Sequence, residues 1–303
     1  MNACLRTIVL MTVALLGLAS PARSRAQQAY PTAEAAAEAL VAALGTQRAD
    51  ADKLAALLGK DWRDYVPIEG VERADVEAFL AGYRERHAIR PGTEGRVSLV
   101  VGKNDWVFPI PLAKRTGGWA FDVRAGADEI RDRRVGRNEL ATVESARAYH
   151  DAQNDYARVD RDGDGVLEYA QKIFSSDGQH DGLFWADDDG AEPSPLGPLF
   201  AEGASGSDWH GYHYRILSAQ GPSAPGGAYS YLLGKNMSRG FALVAWPAKY
   251  GDSGVMSFMI SHEGQVFEKD LGPGGEKQAM AMTRFDPDSS WQEVKPAATA
   301  ATR

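Results

Sequence analysis

Residues 208–275, DWHGYHYRILSAQGPSAPGGAYSYLLGKNMSRGFALVAWPAKYGDSGVMSFMISHEGQVFEKDLGPGG, decide the fold class of this chain. Runs rich in branched and aromatic residues occupy 212–218, 228–233, 241–246, 255–260 and 266–269, and clusters of Gly, Pro, Asn and Asp separate them. That alternation predicts an antiparallel meander. Within the run 241–246, Phe241, Leu243 and Ala245 are expected on the core side, with Ala242, Val244 and Trp246 facing the other way.

Upstream of the meander, Leu140, Val143, Ala146, Tyr149, Ala152, Tyr156 and Val159 recur every three or four residues. The spacing predicts a long amphipathic helix that opens at Asn138 as its N-cap and packs on the sheet. Nearer the N-terminus, Thr32 and Asp50 are positioned to cap two helices, the second closed by Gly59, and a third is expected at about 74–86. A strand at 96–102 follows, then a hairpin of 106–114 and 119–123 around Gly117-Gly118. Pro109 and Pro111 cannot donate ladder hydrogen bonds, so the first arm is expected at a sheet edge.

These elements make an α+β chain of two domains, 27–136 and 137–295, with a disordered tail at 296–303. The first, helices followed by a hairpin, resembles the cone-shaped fold of the nuclear-transport-factor-like superfamily. At 303 residues and 44% hydrophobic content the chain has material for both.

The first 26 residues have the layout of a secretory signal. Arg6 supplies a basic start, and residues 8–19 form an uncharged apolar run shorter than the roughly 20 residues a membrane span needs. Ser24 and Ala26 set small residues where processing would fall, so cleavage is expected near Ala26. Cleavage would remove Arg6, Arg23 and Arg25 and take the formal charge from −8 to −11. The lone Cys4 would go with it, which excludes a disulfide framework. An acidic chain without a basic cluster excludes nucleic acid as a partner, and no later run is long enough to span a bilayer. A periplasmic or secreted protein is expected.

Two clusters carry candidate chemistry. Trp209, His210, Tyr212, His213, Tyr214 and Arg215 form the densest group of aromatic and polar side chains. Aromatic rings with a polar tip suit a binding surface for a protein, glycan or small ligand. Alternatively, Asp208, His210 and His213 hold a transition metal for a hydrolytic or metal-dependent enzyme, although a third imidazole is missing. Elsewhere, Ser253 lacks the strained elbow of a hydrolase nucleophile.

The second cluster places Asp160, Asp162 and Asp164 at positions one, three and five of a loop with Gly165 at position six. That is the opening of an EF-hand-type calcium loop. Gln171 stands where the closing carboxylate belongs, leaving Glu168 or a distant acid to complete a site. An ordinary Asp-Gly turn is the competing reading, and no cofactor is expected unless this loop holds calcium.

Several runs together resemble a known family: NDWVFPIPL (104–112), RRVGRNEL (133–140), EYAQK (168–172), DGLFW (181–185), SPLGPL (194–199), 211–231, 238–251 and 253–272. They are similar to a family of exported bacterial proteins known as a domain of unknown function, across residues 30–291. The resemblance implies a secreted protein of Gram-negative bacteria and brings no activity and no catalytic residues. Separately, 138–157, 211–216, 241–248 and 253–268 resemble the periplasmic domain of type IV pilin-like proteins, implying a long helix on an antiparallel sheet. The chain departs from pilins in lacking an apolar segment that leads into the helix.

Overall fold

A computed structural model describes residues 27–66, 71–186, 193–197 and 208–295. The expected signal segment and the C-terminal tail lie outside those residues. Contacts divide the chain into two compact units, 1–129 and 130–303. Both combine helices with antiparallel strands, so the α+β class holds.

In the first unit, helix α1 (Ala33–Leu44) starts because the Thr32 hydroxyl accepts the Ala35 N–H, and α2 (Ala51–Leu58) because Asp50 accepts the Lys53 N–H. Helix α3 (Arg73–Glu85) opens on a box in which Glu72 and Asp75 each accept the other's backbone N–H. Strands β1 (His87–Pro91), β2 (Val97–Val101), β3 (Trp106–Val107), β4 (Leu112–Arg115) and β5 (Gly118–Phe121) form one antiparallel sheet in the order β1-β2-β4-β5, with β3 also on β2. The expected single arm at 106–114 is thus two pieces, and its second piece is interior, between β2 and β5. Pro109 and Pro111 break the ladder between β3 and β4, and the chain re-enters at Leu112 opposite Val97. Leu99, Leu112 and Phe121 anchor the interior of this unit.

Helix α4 (Val123–Tyr156) is longer than its periodic part, and the division between units falls inside it. Asn138 is therefore an interior helical residue and not an N-cap. Its amide donates 2.8 Å to the Ser253 carbonyl, which ties the helix to a loop of the sheet. The charged stretch before it sustains a helix without an apolar stripe because Arg, Glu and Ala are strong helix formers.

The second unit is built on the sheet β14-β13-β12-β11-β6, all antiparallel: β6 (Tyr212–Leu217), β11 (Ala242–Pro247), β12 (Met256–Ser261), β13 (Val266–Asp270) and β14 (Gln292–Glu293). The expected run 228–233 is not a rung of this sheet. It splits into β8 (Tyr229–Ser230), which pairs with β7 (Ala219–Gln220), and β9 (Leu232–Leu233), which pairs with β10 (Asn236–Met237). The sheet passes directly from β6 to β11 in the register Ala242 opposite Leu217.

Two helices cover β11 from opposite sides, which is why all six of its residues are buried. Tyr149 of α4 packs edge-on to Phe241, and Tyr214, directly across from Ala245, hydrogen-bonds Thr142. On the other face lies α5 (Gly275–Ala281), held to β6 by Arg215, which sits across from Val244. Both expected faces of 241–246 exist, and both are interior.

Candidate functional site

The turn leading into β6 sets the geometry of the site. Trp209 and Tyr212 exchange two backbone hydrogen bonds of 3.0 Å around His210 and Gly211, both at positive φ (51° and 72°). This is the conformation that a two-residue hairpin turn requires. A side chain at Gly211 would also meet Ser253 and the Asn138 amide at 2.8 and 2.9 Å. The Tyr212 ring lies so tightly over Gly254 that a Cβ there would fall 2.0 Å from its hydroxyl. Glycine at both positions lets the ring sink fully into the core, where its hydroxyl donates to the Met256 carbonyl at 2.8 Å.

Past this turn, β6 alternates its side chains. Tyr212 and Tyr214 face α4, while His213 and Arg215 face α5. A cavity of about 440 Å³ follows the strand. Its α4-side wall is Tyr212, Tyr214 and Leu243 from the sheet with Ser145 and Tyr149 from the helix, closed by Ile173, Phe174 and Leu196 and flanked by Trp209. His213, Trp246, Glu276 and Met280 line it on the α5 side. Lining from both faces of one strand means that the cavity passes around β6, the terminal strand of the described sheet.

The irregular segment after α4 supplies the third wall because one buried glutamine pins it. Gln153 offers its amide N–H to the Ala170 carbonyl and its carbonyl to the Ala170 N–H, both at 2.8 Å. The same amide donates 2.9 Å to the Tyr149 hydroxyl, which itself donates to the Ala242 carbonyl at 3.2 Å. The chain is thereby tied to α4 at Ala170, and farther on Leu183 and Leu196 are buried, the Leu196 N–H donating to the Leu183 carbonyl at 2.9 Å.

The chemistry of these walls is mostly apolar. Burial pushes the Tyr214 phenol up to about 12, while hydrogen bonds to Thr142 and Ser145 oppose the shift. Burial likewise raises the phenols of Tyr149 and Tyr212, so all three stay neutral donors across the physiological range. Trp246 is only 7% exposed, and its indole N–H is buried without an acceptor among the described residues. A buried donor without a partner is costly to maintain, and such groups call for an explanation.

Of the six side chains expected to bind, Trp209, Tyr212, His213 and Tyr214 line the cavity, whereas His210 and Arg215 do not. His210 is exposed and stacks on Trp209 with ring centres 4.9 Å apart. Arg215 donates to the carbonyls of Ala279 and Met280 at 2.8 and 2.5 Å and also to that of Met282, so it caps α5. Asp208, His210 and His213 are not gathered as a set of metal ligands, because strand alternation and the turn at His210 send their side chains apart. Sequence reasoning missed Glu276, Met280, Ser145, Ile173, Phe174 and Leu196, all far from β6 along the chain.

Among the described residues, one group of three or more acids or histidines converges: Asp160, Asp162 and Asp164, with one carboxylate oxygen of each within 4.8 Å of the others. Backbone N–H groups of Gly163 and Gly165 donate to Asp160 at 2.8 and 2.9 Å, which folds the loop around that carboxylate. Lys235 sits 2.8 Å from Asp162 and 3.3 Å from Asp164, and Asn236 donates 2.7 Å to Asp164. Glu168 accepts the Met237 N–H at 3.2 Å, and burial raises its carboxyl. Gln171 donates to the Lys235 carbonyl at 2.8 Å.

Comparison with known proteins gives one match. A family model described as a protein of unknown function, DUF2950, matches residues 27–294. No curated protein and no solved structure matches.

Proposed function

The chain belongs to the DUF2950 family, and from that premise, which fixes no chemistry, we propose that it is a non-catalytic binding protein for a small ligand held in the cavity around β6. One observation carries the reading: the cavity has a volume of about 440 Å³ and an aromatic lining. Volumes of that order and apolar walls with a few polar groups are what small-molecule sites have in common. The unpaired indole N–H of Trp246 is the donor that a ligand oxygen would satisfy. An exported setting belongs to the same reading and rests on the signal-like layout of residues 1–26; N-terminal sequencing of the processed protein, starting near Gln27, would bear it out.

The test uses a neutral fluorescent probe, N-phenyl-1-naphthylamine, whose emission rises on entering an apolar cavity. The wild-type protein should bind it, and Ser145→Leu, which fills the α4-side wall, should weaken binding at least about tenfold, since two lost methylene-sized contacts are worth that much. Unchanged binding in a variant with native circular dichroism would reject the cavity as the site.

A second proposal concerns the loop at Asp160. We propose that it accepts calcium as a structural clamp in competition with the Lys235 ammonium, which now neutralises Asp162 and Asp164. Support comes from the convergence of the three carboxylates.

A further inference from the structure

Among the described residues that line the cavity, Glu276 is the only Asp, Glu, Lys or Arg. Its carboxylate takes part in no ion pair among the described residues. Met280 follows it by four positions on α5, so both side chains lie on one helix face. Across from that face stand His213 and Trp246, whose ring centres are 5.7 Å apart. Arg215, whose guanidinium is on this side of the sheet, is committed to the three carbonyls at the end of α5 and does not line the cavity.

We infer that the ligand is a small organic cation of the substituted-ammonium class, its charged head between Trp246 and Glu276 and its apolar part against Tyr214 and Leu243. The inference rests on the cavity reading above and adds the ligand's charge and orientation. Electron-rich ring faces attract a cation that carries no strong hydrogen-bonding demand of its own. One carboxylate at the rim supplies the neutralising charge. The opposite lobe offers aliphatic and phenolic surface with no formal charge, which suits a hydrocarbon portion and not a second ion. The chain's net charge of −8 adds a long-range field of the favourable sign.

Choline and 3,3-dimethylbutan-1-ol separate the ideas, because they share a shape and differ in charge. Titrated into the full-length protein at low salt and followed by tryptophan emission, choline should bind at least about tenfold more tightly than the neutral alcohol. Glu276→Gln should erase that preference while leaving the alcohol's affinity and the melting curve unchanged. Equal affinities for the two, or a preference that survives Glu276→Gln, overturns the cationic assignment. If neither compound binds but N-phenyl-1-naphthylamine does, the cation is wrong and the cavity reading stands. Failure of all three probes removes both.

Discussion

Tyr212 and Tyr214 are two positions apart on one strand face, yet they do different jobs. Tyr212 is fully buried and locked to Met256, so truncating it to alanine would cost roughly 3–5 kcal/mol of stability, as for other large aromatic cores. It is therefore a pillar of the cavity and a poor probe of binding. Tyr214 reaches α4, and its hydroxyl is exchanged among neutral partners. Its phenol is held at about 12 against an ordinary 10.0, and those of Tyr149 and Tyr212 are raised as well. The native state thus keeps phenolic protons at pH values where the unfolded chain releases them. Raising the pH must favour unfolding, with stability intact below pH 10 and lost progressively above it. Alkaline unfolding followed by far-ultraviolet circular dichroism should begin above about pH 10, and Tyr214→Phe should make the slope shallower. A slope unchanged by that substitution would remove Tyr214 from the account.

At the scale of elements, α5 depends on a residue of another element. A helix of seven residues cannot satisfy its last carbonyls alone, and it has no basic residue in its last turn. Arg215 supplies five N–H donors and a positive charge at that end, where the helix dipole is negative. Replacing it with methionine keeps most of the apolar stem and removes the donors. The expected loss is about 1.5–3 kcal/mol, as for hydrogen bonds from a charged group. Amide exchange should quicken in residues 275–281 before it does so in β11, and uniform protection across both would argue against the capping role. The Asp160 loop is a similar dependency, since Lys235 and Asn236 at the β9–β10 turn neutralise and order it. Asp164 is held below the usual carboxylate range, first by the Asn236 amide. Millimolar calcium should raise Tm, and more so in Lys235→Met, where the competing ammonium is gone. A Tm indifferent to calcium in both proteins would leave the loop an ordinary turn.

Across the whole molecule, each unit carries its own core. One gathers Ala37, Tyr83, Leu99 and Val101, and the other runs from Val143 of α4 through β6, β11 and β12 to Trp291. No described helix is long and apolar enough to cross a membrane. The larger core explains why the pattern of 241–246 read as one buried face and one other face, when both faces proved interior. Alternation assigns residues to faces, but it cannot count how many layers will cover them. The small helix at 275–281 carries no strong periodic signal, so the second layer was invisible until the chain had folded.

The sequence by itself determined the α+β class, the helix that packs on the sheet, the caps at Thr32 and Asp50, and β6 as the place where aromatic and polar residues concentrate. Those are properties of neighbours along the chain: side-chain period, turn formers and hydrogen-bonding caps act within a few residues. Only the tertiary structure decided that Asn138 would be helix interior and that 228–233 would leave the sheet. It also decided that Arg215 would end a helix while Tyr214 and His213 faced opposite lobes of one cavity. The reason is distance along the chain: Ser145, Leu196, Tyr214, Trp246 and Glu276 meet around β6 through pairings that span tens of residues, and no local pattern records which partners will arrive.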